Sequence, residues 1–368
     1  MPSRTLPHVE PYIPAPPPTE DLEYADLSII DLSKAATAEG RAELAVIARD
    51  AMKTSGFMYA VNHGYTPAQT KRIFDIANTP FDAVKNDEKQ MYAGNIKATG
   101  SYLGYKLRSY WARLHIDNGV QDQIEHYNIS QDAHRKQHPQ ALRPFLPEIE
   151  AFVEHCHVNI LHPIVRLLAL GLEMPEESMV NIHKYDAQGE SWLRFMKYYP
   201  RSKDEEEKTK NVWLKGHTDL GSVTILWSQP VAALQIMSPE GRWKWVKHIE
   251  NALVINIGDA LEFLSGGFYK ATIHRVVQPP PSQRGYPRLG VFYFAMFDND
   301  VRLKPLEESP VIKREGVQRE RLPQEGQEPT MDEYRKVRIS SYGKSEVKKG
   351  ESGVDTEYLQ GILVKHYN

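Results

Sequence analysis

The fold is decided by a stretch that begins with Lys215-Gly216-His217-Thr218-Asp219 and ends with Thr272-Ile273-His274-Arg275-Val276. Residues two apart on an extended strand point to the same side, so His217 and Asp219 share a face. His274 lies in a second strand-like segment that can fold back beside the first. Two imidazoles and one carboxylate can hold a metal ion from one side and leave its opposite side open. The stretch therefore predicts a metal site formed by His217, Asp219 and His274.

Short apolar segments separated by turn signals surround these residues. The turns are marked by Pro239-Glu240-Gly241-Arg242, Gly258-Asp259 and Ser265-Gly266-Gly267. Many short strands at this spacing predict a double-sheet jelly roll or a barrel. The predicted strands are Ser191 to Tyr199, Val223 to Trp227, Ala233 to Met237, Trp243 to Lys247, Ala252 to Ile257, Leu261 to Leu264, Thr272 to Val276 and Leu289 to Phe294.

The N-terminal half reads as mainly helical. Seven prolines within residues 1–23 exclude a helix there and predict an extended arm that wraps over the body. Residues 81–127 and the charged run 203–208 are predicted to be loops. The remaining predictions are strands at Leu27 to Leu32 and Gly56 to Val61, and helices from Ala36 to Thr54, from the N-cap Thr66 to Ala77, from Leu146 to Leu172 with a break at Pro163, and from Thr330 to Gly343.

The order of these elements predicts one shared core with four regions. Residues 1–26 form the proline-rich arm, and residues 27–185 form a helical N-terminal region of mixed α/β character. Residues 186–300 form the jelly-roll core, mainly β and flanked by helices, that carries the metal site. Residues 301–368 form a C-terminal extension of loop and helix.

Composition narrows the class of protein further. The chain has 368 residues, of which 41% are hydrophobic and 25% charged, as in soluble globular proteins. A net charge of -3 argues against a nucleic-acid-binding surface. The single cysteine, Cys156, excludes an internal disulfide or a thiolate metal cluster and fits a reducing compartment. Without an apolar run long enough for a membrane span or a secretory signal, we expect a cytoplasmic protein with no membrane, nucleic-acid or obligatory protein partner.

The metal site suits the activation of dioxygen by iron(II). Two histidines and one carboxylate leave about three of six octahedral positions open, enough for a bidentate 2-oxoacid and dioxygen. The far carboxylate of such an acid needs an anchor, and the planar guanidinium of Arg288, on the strand after His274, can bind it with two hydrogen bonds. The Tyr199 hydroxyl, at the end of an earlier strand, is a second candidate contact for the same ligand.

Other histidines offer weaker clusters. His155 and His157 would point to different faces of one helix, and His134 and His138 lie in a segment typical of a solvated loop. We therefore interpret both pairs as structural.

Four segments together resemble the isopenicillin N synthase-like family of Fe(II)/2-oxoglutarate-dependent dioxygenases. They are Gly56-Phe57-Met58-Tyr59-Ala60-Val61-Asn62-His63-Gly64, Gly216-His217-Thr218-Asp219, Asn256-Ile257-Gly258-Asp259, and His274-Arg275-Val276 with Arg288. The resemblance implies a double-stranded β-helix (jelly-roll) core, iron bound by His217, Asp219 and His274, and 2-oxoglutarate bound by Arg288. No catalytic residue beyond the metal ligands is implied.

The same resemblance suggests where the substrate binds and what kind of molecule it is. Tyr102, Phe294 and Met296 precede or follow core strands at places where the family lines its cleft. The C-terminal residues from Gly361 to Asn368 are similar to those of fungal members, many of which act in secondary metabolism. The implied activity is oxidation of a small organic molecule, with hydroxylation the commonest outcome and desaturation or ring rearrangement as alternatives.

Two positions depart from the family pattern. Arg288-Leu289-Gly290 stands where the family commonly has Arg-X-Ser, and Lys197-Tyr198-Tyr199 stands where it commonly has Asn-X-Tyr. Two rival functions therefore stay open. One is an iron oxidase of the same fold that does not use 2-oxoglutarate, and the other is a catalytically silent jelly-roll binding protein.

Overall fold

The computed structural model describes residues 6–110, 119–186, 189–341, 354–359 and 362–367. The predicted end of the last helix, Gly343, and the first and last residues of the tail segment from Gly361 to Asn368 lie outside these ranges. The strands β1 to β14 are Ile29–Asp31, Phe57–Val61, Gly104–Lys106, Ile124–Ser130, Trp192–Tyr198, Val212–His217, Val223–Trp227, Leu234–Met237, Trp243–Trp245, Leu253–Ile257, His274–Val277, Arg288–Ala295, Val354–Leu359 and Ile362–Tyr367.

Helices occupy both ends of the chain and the connections between strands. The α-helices α1 to α11 are Ala38–Thr54, Pro67–Asp82, Asn86–Met91, Ile96–Thr99, Leu146–Glu154, His162–Gly171, Glu177–Val180, Lys203–Lys208, Asp259–Leu264, Pro310–Glu315 and Met331–Ser341. Short 3-10 helices lie at Leu32–Ala36, Ala133–Arg135, Gln140–Phe145 and Pro281–Gln283, and a π-helix lies at His155–Leu161. No helix in the described ranges has the length and apolar character that crossing a membrane requires.

Two sheets form the centre of the protein. The larger has the order β1-β2-β10-β7-β12-β5-β4-β3, and the smaller has the order β13-β14-β6-β11-β8-β9. Their facing sides pack together, since Met196 and Tyr198 of the larger sheet share an apolar cluster with Leu214 and Val276 of the smaller one. The predicted jelly-roll architecture with flanking helices is thus observed, and the helical N-terminal region also supplies strands to it.

Alternation along the strands gives the larger sheet two different faces. On β5 and β12, residues such as Tyr198, Arg194 and Arg288 face the smaller sheet, and we call this the inner face. Residues between them, such as Phe195 and Val291, pack with α1, α2 and α6 in the main apolar core. The inner face is therefore the surface on which a site between the sheets can be built.

Local sequence explains where several helices begin. Thr66 caps α2 in a capping box with Gln69, and Pro67 occupies the first turn, as predicted. Ser202 and Glu205 form a second capping box, which makes a short helix of the charged run that was predicted to be a loop. The predicted long helix from Leu146 is interrupted by the π-helix just before Pro163, because a proline cannot donate to the preceding turn.

Two segments differ from the sequence prediction in type. Leu261 to Leu264 was predicted as a strand but belongs to helix α9, because the chain turns at Asp259 and Ala260, whose N–H groups donate to loop carbonyls. The predicted loop before Tyr127 contains β3 and most of β4. The larger sheet consequently extends further than expected beyond β5.

Candidate active site

Two neighbouring strands of the smaller sheet bring His217, Asp219 and His274 together. His217 ends β6, His274 begins β11, and the two residues are direct partners in the antiparallel pairing. Asp219 follows two residues after β6, and its Oδ1 lies 3.8 Å from Nε2 of His274. One ligand atom from each of the three side chains lies within 4.8 Å of the others. This spacing is short enough for all three to contact one metal ion.

Hydrogen bonds to the backbone leave the outer nitrogen of each histidine free to bind a metal. Nδ1 of His217 donates to the Lys215 carbonyl at 2.9 Å, and Nδ1 of His274 donates to the Thr272 carbonyl at 3.1 Å. The proton on Nδ1 keeps the lone pair of a neutral ring on Nε2. Burial, with the nearby His274, lowers the pKa of His217 to about 4, so this ring is neutral at pH 7. The Phe57 ring packs edge-on against His274 and fixes its orientation.

Two donors hold the carboxylate of Asp219. Thr224 Oγ1 and Asn256 Nδ2 both donate to Oδ2, at 2.7 and 2.8 Å, which leaves Oδ1 directed towards the histidines. Burial alone would raise the pKa of Asp219, but the two histidines and these donors hold it below its usual value. The site therefore contains one ionised carboxylate and two imidazoles, the ligand set that suits non-haem iron(II).

A second buried carboxylate supports the loop that carries Asp219. The backbone N–H of Asp259 donates to the Asp219 carbonyl at 2.7 Å. Gly258 permits this close approach, since a Cβ there would lie 3.0 Å from the same carbonyl oxygen. Arg321 and Tyr334 donate to the Asp259 carboxylate at 2.7 and 2.8 Å. The C-terminal extension thereby holds the metal-site loop in place.

Arg288 lies on the inner face in a position to bind an anion. Arg288 is 2% exposed, and it is paired with Tyr198 on the neighbouring strand. Its guanidinium carbon lies 5.3 Å from the centre of the Tyr198 ring. Nε and Nη1 are buried and have no hydrogen-bond partner among the described residues. Buried guanidinium nitrogens without acceptors are unfavourable, so this geometry fits a carboxylate ligand such as that of a 2-oxoacid.

The structure does not bring Tyr199 to Arg288. Tyr199 comes directly after β5 and lies on the face of the sheet opposite to the inner face. Its hydroxyl donates to Glu125 at 3.2 Å. Lys197 shares that outer face and pairs with Asp82. Tyr198, the cross-strand neighbour of Arg288, occupies the position predicted for Tyr199. Burial raises the pKa of Tyr198 to about 12, so its hydroxyl keeps its proton and can donate to a ligand.

The departure at Gly290 also has a structural reason. Gly290 is on the inner face, two residues from Arg288. A Cβ at this position would lie 2.5 Å from the ring of Phe292. The phenylalanine ring therefore fills the space that a serine side chain would need, and it packs against three apolar clusters of described residues.

Two of the three predicted substrate residues meet around an arginine. The guanidinium of Arg194 lies over the rings of Tyr102 and Phe294, with 5.0 and 4.7 Å to their centres, and over Trp192 at 5.8 Å. Its Nε donates to Asn128 at 2.7 Å. Phe294 is in turn the cross-strand partner of Thr224, the residue that holds Asp219. A wall of aromatic rings around one cation thus adjoins the metal site.

Met296 has a different position. Its N–H donates to Ser191 Oγ at 2.9 Å, and its side chain packs against Gly221, where an added Cβ would lie 2.5 Å from the methionine methyl group. Met296 thus packs against the loop that follows Asp219.

Sequence reasoning missed Tyr198, Arg194, Thr224 and Asn256. The signal for the first two was available, because residues 192, 194, 196 and 198 share one face of a predicted strand. To identify Thr224 and Asn256, the pairing of β7 with β10 must be known, because this pairing places the two residues opposite each other. No local pattern indicates that pairing.

Comparison with known families agrees with this geometry. The 2OG-Fe(II) oxygenase superfamily matches residues 190–296, which include the candidate metal ligands and Arg288. The non-haem dioxygenase in morphine synthesis N-terminal family matches residues 27–148. The chain belongs to the 2OG-Fe(II) oxygenase superfamily. It is accordingly a non-haem Fe(II)/2-oxoglutarate-dependent dioxygenase that oxidises small molecules, with Fe(II), 2-oxoglutarate and dioxygen as its cofactors and co-substrates, as predicted.

Individual members of the superfamily show the extent of the likeness. A 2-oxoglutarate-dependent dioxygenase of Gibberella zeae is 31% identical over 172 residues, which are 46% of this chain and 50% of that protein. Jasmonate-induced oxygenase 4 of Arabidopsis thaliana is 28% identical over 282 residues, 75% of this chain and 74% of that protein. The crystal structure of a full-length Neurospora crassa protein in complex with alpha-KG and thymine has a TM-score of 0.73 at 22% identity, covering 86% of this chain and 97% of that one. The last comparison confirms the predicted fold.

Proposed function

We propose that His217, Asp219 and His274 hold iron(II) and that Arg288, beside Tyr198, binds the far carboxylate of 2-oxoglutarate. The substrate is a small flat molecule with oxygen acceptors, bound against the wall around Arg194, and its hydroxylation is the proposed reaction. A role in fungal secondary metabolism fits the relative from Gibberella zeae. Cytoplasmic location belongs to the same proposal, since iron(II) and the one thiol, Cys156, both suit reducing surroundings.

The observation that carries the proposal is the orientation of the two histidines. Both rings use Nδ1 for a backbone carbonyl, and both Nε2 atoms converge with one oxygen of a carboxylate whose other oxygen is already bound. An arrangement made only for packing would not require the metal-binding atoms of all three side chains to meet. Outer hydrogen bonds of this kind are the usual support of metal ligands.

Each part of the chain then has a separate task. When bound, iron(II) with 2-oxoglutarate and dioxygen supplies the oxidising power, with release of carbon dioxide and succinate. Thr224 and Asn256 keep the Asp219 carboxylate in one orientation. Arg288 and the apolar ring of Phe292 hold the co-substrate away from water, where the attraction between guanidinium and carboxylate is stronger.

The register of the strands determines which side chains surround the proposed substrate position. Trp192, Phe294 and Thr224 are direct neighbours across β5, β12 and β7, and Arg194 is two residues further along β5. The Cα atoms of Arg194 and Thr224 are thus roughly 12 Å apart. A ring stacked on the aromatic side chains can give its oxygen acceptors to Arg194 and still present a carbon to the metal. Thymine, which the similar Neurospora crassa structure holds, is a molecule of this shape.

The decisive experiment is a screen for succinate release that depends on the added substrate, with the products followed by mass spectrometry. Flat cyclic acids and imides are expected to stimulate release, and His217→Ala or His274→Ala is expected to abolish it while the protein stays folded. Arg194→Met should raise KM for any substrate found by about tenfold, whereas Lys53→Met, at a cation–phenylalanine contact outside the site, should not. Oxygen uptake with substrate but without 2-oxoglutarate would instead indicate the oxidase.

A further inference from the structure

The proline-rich arm, residues 6–26, lies outside both regions that match known families. Its middle is tied to the body by Gln283, a residue with no exposed surface. The side-chain amide of Gln283 donates to the carbonyls of Pro16 and Pro230, at 2.6 and 2.8 Å, and accepts from the Ala232 N–H at 2.8 Å. One buried side chain therefore joins the arm to the turn that precedes β8.

Both ends of the arm are fixed as well. The Tyr12 N–H donates to Asp75 on α2 at 2.7 Å. At the other end, Ala25 donates its N–H to the Trp245 carbonyl at 2.8 Å, which adds the arm to the edge of the smaller sheet. The arm consequently has a defined path across the gap between the larger sheet and the smaller one.

That path crosses the Arg288 end of the space between the sheets. Pro17, Pro18 and Tyr24 line a cavity of about 220 Å³ together with Arg288. The other walls include the apolar Leu226, Leu234, Val246 and Val254 and the polar side chains of Lys247 and His248. The cavity thus has an arginine at one side, apolar walls suited to methylene groups, and the arm as its cover.

We infer that the arm is part of the co-substrate site, in which Pro17, Pro18 and Tyr24 cover the cavity so that the far carboxylate of 2-oxoglutarate meets Arg288 out of water. This inference rests on the proposed role of Arg288. The residues of the arm are positioning residues, because they act through the surroundings of the guanidinium.

Proline suits this task for a physical reason. Pro17 and Pro18 have a fixed φ and no N–H, so this part of the cover is stiff and brings no backbone donor to the cavity. Removing water raises the strength of a guanidinium–carboxylate pair, and we expect the cover to tighten 2-oxoglutarate binding by about 10- to 100-fold. The same exclusion of solvent makes the pair insensitive to salt.

The test compares two ligands in the full chain and in a variant that lacks residues 1–26. The ligands are 2-oxoglutarate and 2-oxopentanoate, which has the same chain length but no far carboxylate. Dissociation constants are measured by calorimetry without oxygen, with Mn(II) in place of iron. In the variant, binding of 2-oxoglutarate should weaken by about 10- to 100-fold and become salt-dependent, while binding of 2-oxopentanoate stays the same.

Two further variants keep the result interpretable. Should the truncated chain fail to fold, Pro17→Gly/Pro18→Gly loosens the arm in the full chain and is expected to weaken 2-oxoglutarate binding by about threefold or more. The matched control is His8→Ala, which removes only the exposed contact with Glu10 near the start of the arm and leaves Gln283 in place. This control should bind both ligands as the wild type does.

Three outcomes would count against these assignments. Wild-type affinity for 2-oxoglutarate in the arm variants would overturn the role of the arm alone. Equal weakening of both ligands would show that the arm only supports the fold. A wild-type protein that binds 2-oxoglutarate no better than 2-oxopentanoate would instead refute the role of Arg288 and the proposed function with it.

Discussion

Replacing Thr224 by valine tests how the metal site holds its carboxylate. Thr224 and Asn256 are the two donors to Asp219 Oδ2, at 2.7 and 2.8 Å. Valine keeps the shape of threonine and removes the hydroxyl, and Thr224 is only 4% exposed, so water has little access to replace the lost donor. A hydrogen bond to a charged group contributes about 1.5–3 kcal/mol. Iron(II) should therefore bind about 10- to 100-fold more weakly, the range usual for lost support of a metal ligand.

The assay is an anaerobic titration with iron(II), repeated with Co(II), whose visible absorption reports the geometry of its ligands. Thr224→Ser keeps the hydroxyl and should bind both metals as tightly as the wild type does. Urea unfolding of the metal-free proteins provides a second measurement, in which the valine variant should lose about 1–3 kcal/mol because a buried carboxylate oxygen has lost a donor.

These two measurements separate support of the metal ligand from support of the fold. Wild-type metal affinity in Thr224→Val would refute the reasoning, even if the variant were less stable. Weakening in Thr224→Ser together with wild-type affinity in Thr224→Val would show that the methyl packing at this position matters and the hydroxyl does not.

Three further predictions concern residues around the site. Tyr198→Phe should weaken 2-oxoglutarate binding by about tenfold, whereas Tyr199→Phe should leave it unchanged, since only Tyr198 lies opposite Arg288. Calorimetry measures both affinities, and weaker binding in Tyr199→Phe than in Tyr198→Phe would contradict the prediction. Gly290→Ser should lower the free energy of unfolding, measured with urea, by about 1–3 kcal/mol, because the serine Cβ would clash with the Phe292 ring. Adding Phe292→Ala to this variant should relieve most of the clash. A Gly290→Ser protein as stable as the wild type would refute the reasoning. Burial lowers the pKa of His183 to about 3, whereas a histidine in the unfolded chain titrates near 6.5. As the pH falls from about 6.5 towards 4, the unfolded chain therefore binds a proton that the folded protein does not. The free energy of unfolding of the wild type should decrease on the order of 1.4 kcal/mol per pH unit because of this residue. His183→Gln should lack that part of the slope in unfolding measured at several pH values, and identical slopes would contradict it.

The convergence of His217, Asp219 and His274 was predictable because most of its geometry is local. Two residues of spacing on a strand place His217 and Asp219 on one side whatever surrounds them. His274 needed one further assumption, that its strand pairs with β6, and the apolar pattern between the two segments supports this. Arg288 followed from its place on the next strand together with its chemistry.

The difference between the predicted Tyr199 and the observed neighbour of Arg288, Tyr198, is one of register. Shifting a strand by one residue moves every side chain to the other face, and the choice between Tyr198 and Tyr199 is a shift of that size. Both are tyrosines and they are adjacent in the chain, so composition does not distinguish them. The pairing of Tyr198 with Arg288 does, and this contact joins residues far apart in sequence.

Strand β4 was missed for a reason connected with function. Alternation of apolar and polar residues reveals a strand when one face is apolar and the other polar. In Ile124–Ser130 the inner face carries His126 and Asn128, and the outer face carries Glu125, so neither face is uniformly apolar. Polar residues on the inner face are what a substrate wall requires, and they remove the pattern by which the strand would be recognised.

The two ligand sites are coupled through the strands that carry them. β5 carries Arg194 and Tyr198, and β12 carries Phe294 and Arg288, in one continuous antiparallel pairing. Six residues of strand separate Arg288 from Phe294, roughly 20 Å, and this rise sets the spacing between the proposed co-substrate and substrate positions on β12. Substitutions at the inner-face positions near Arg194 can therefore change which ring is bound without moving Arg288. An inserted residue in either strand would displace one site relative to the other and turn the following side chains to the opposite face. Substrate choice in this scaffold should accordingly vary by exchange of side chains, with the length of β5 and β12 held constant.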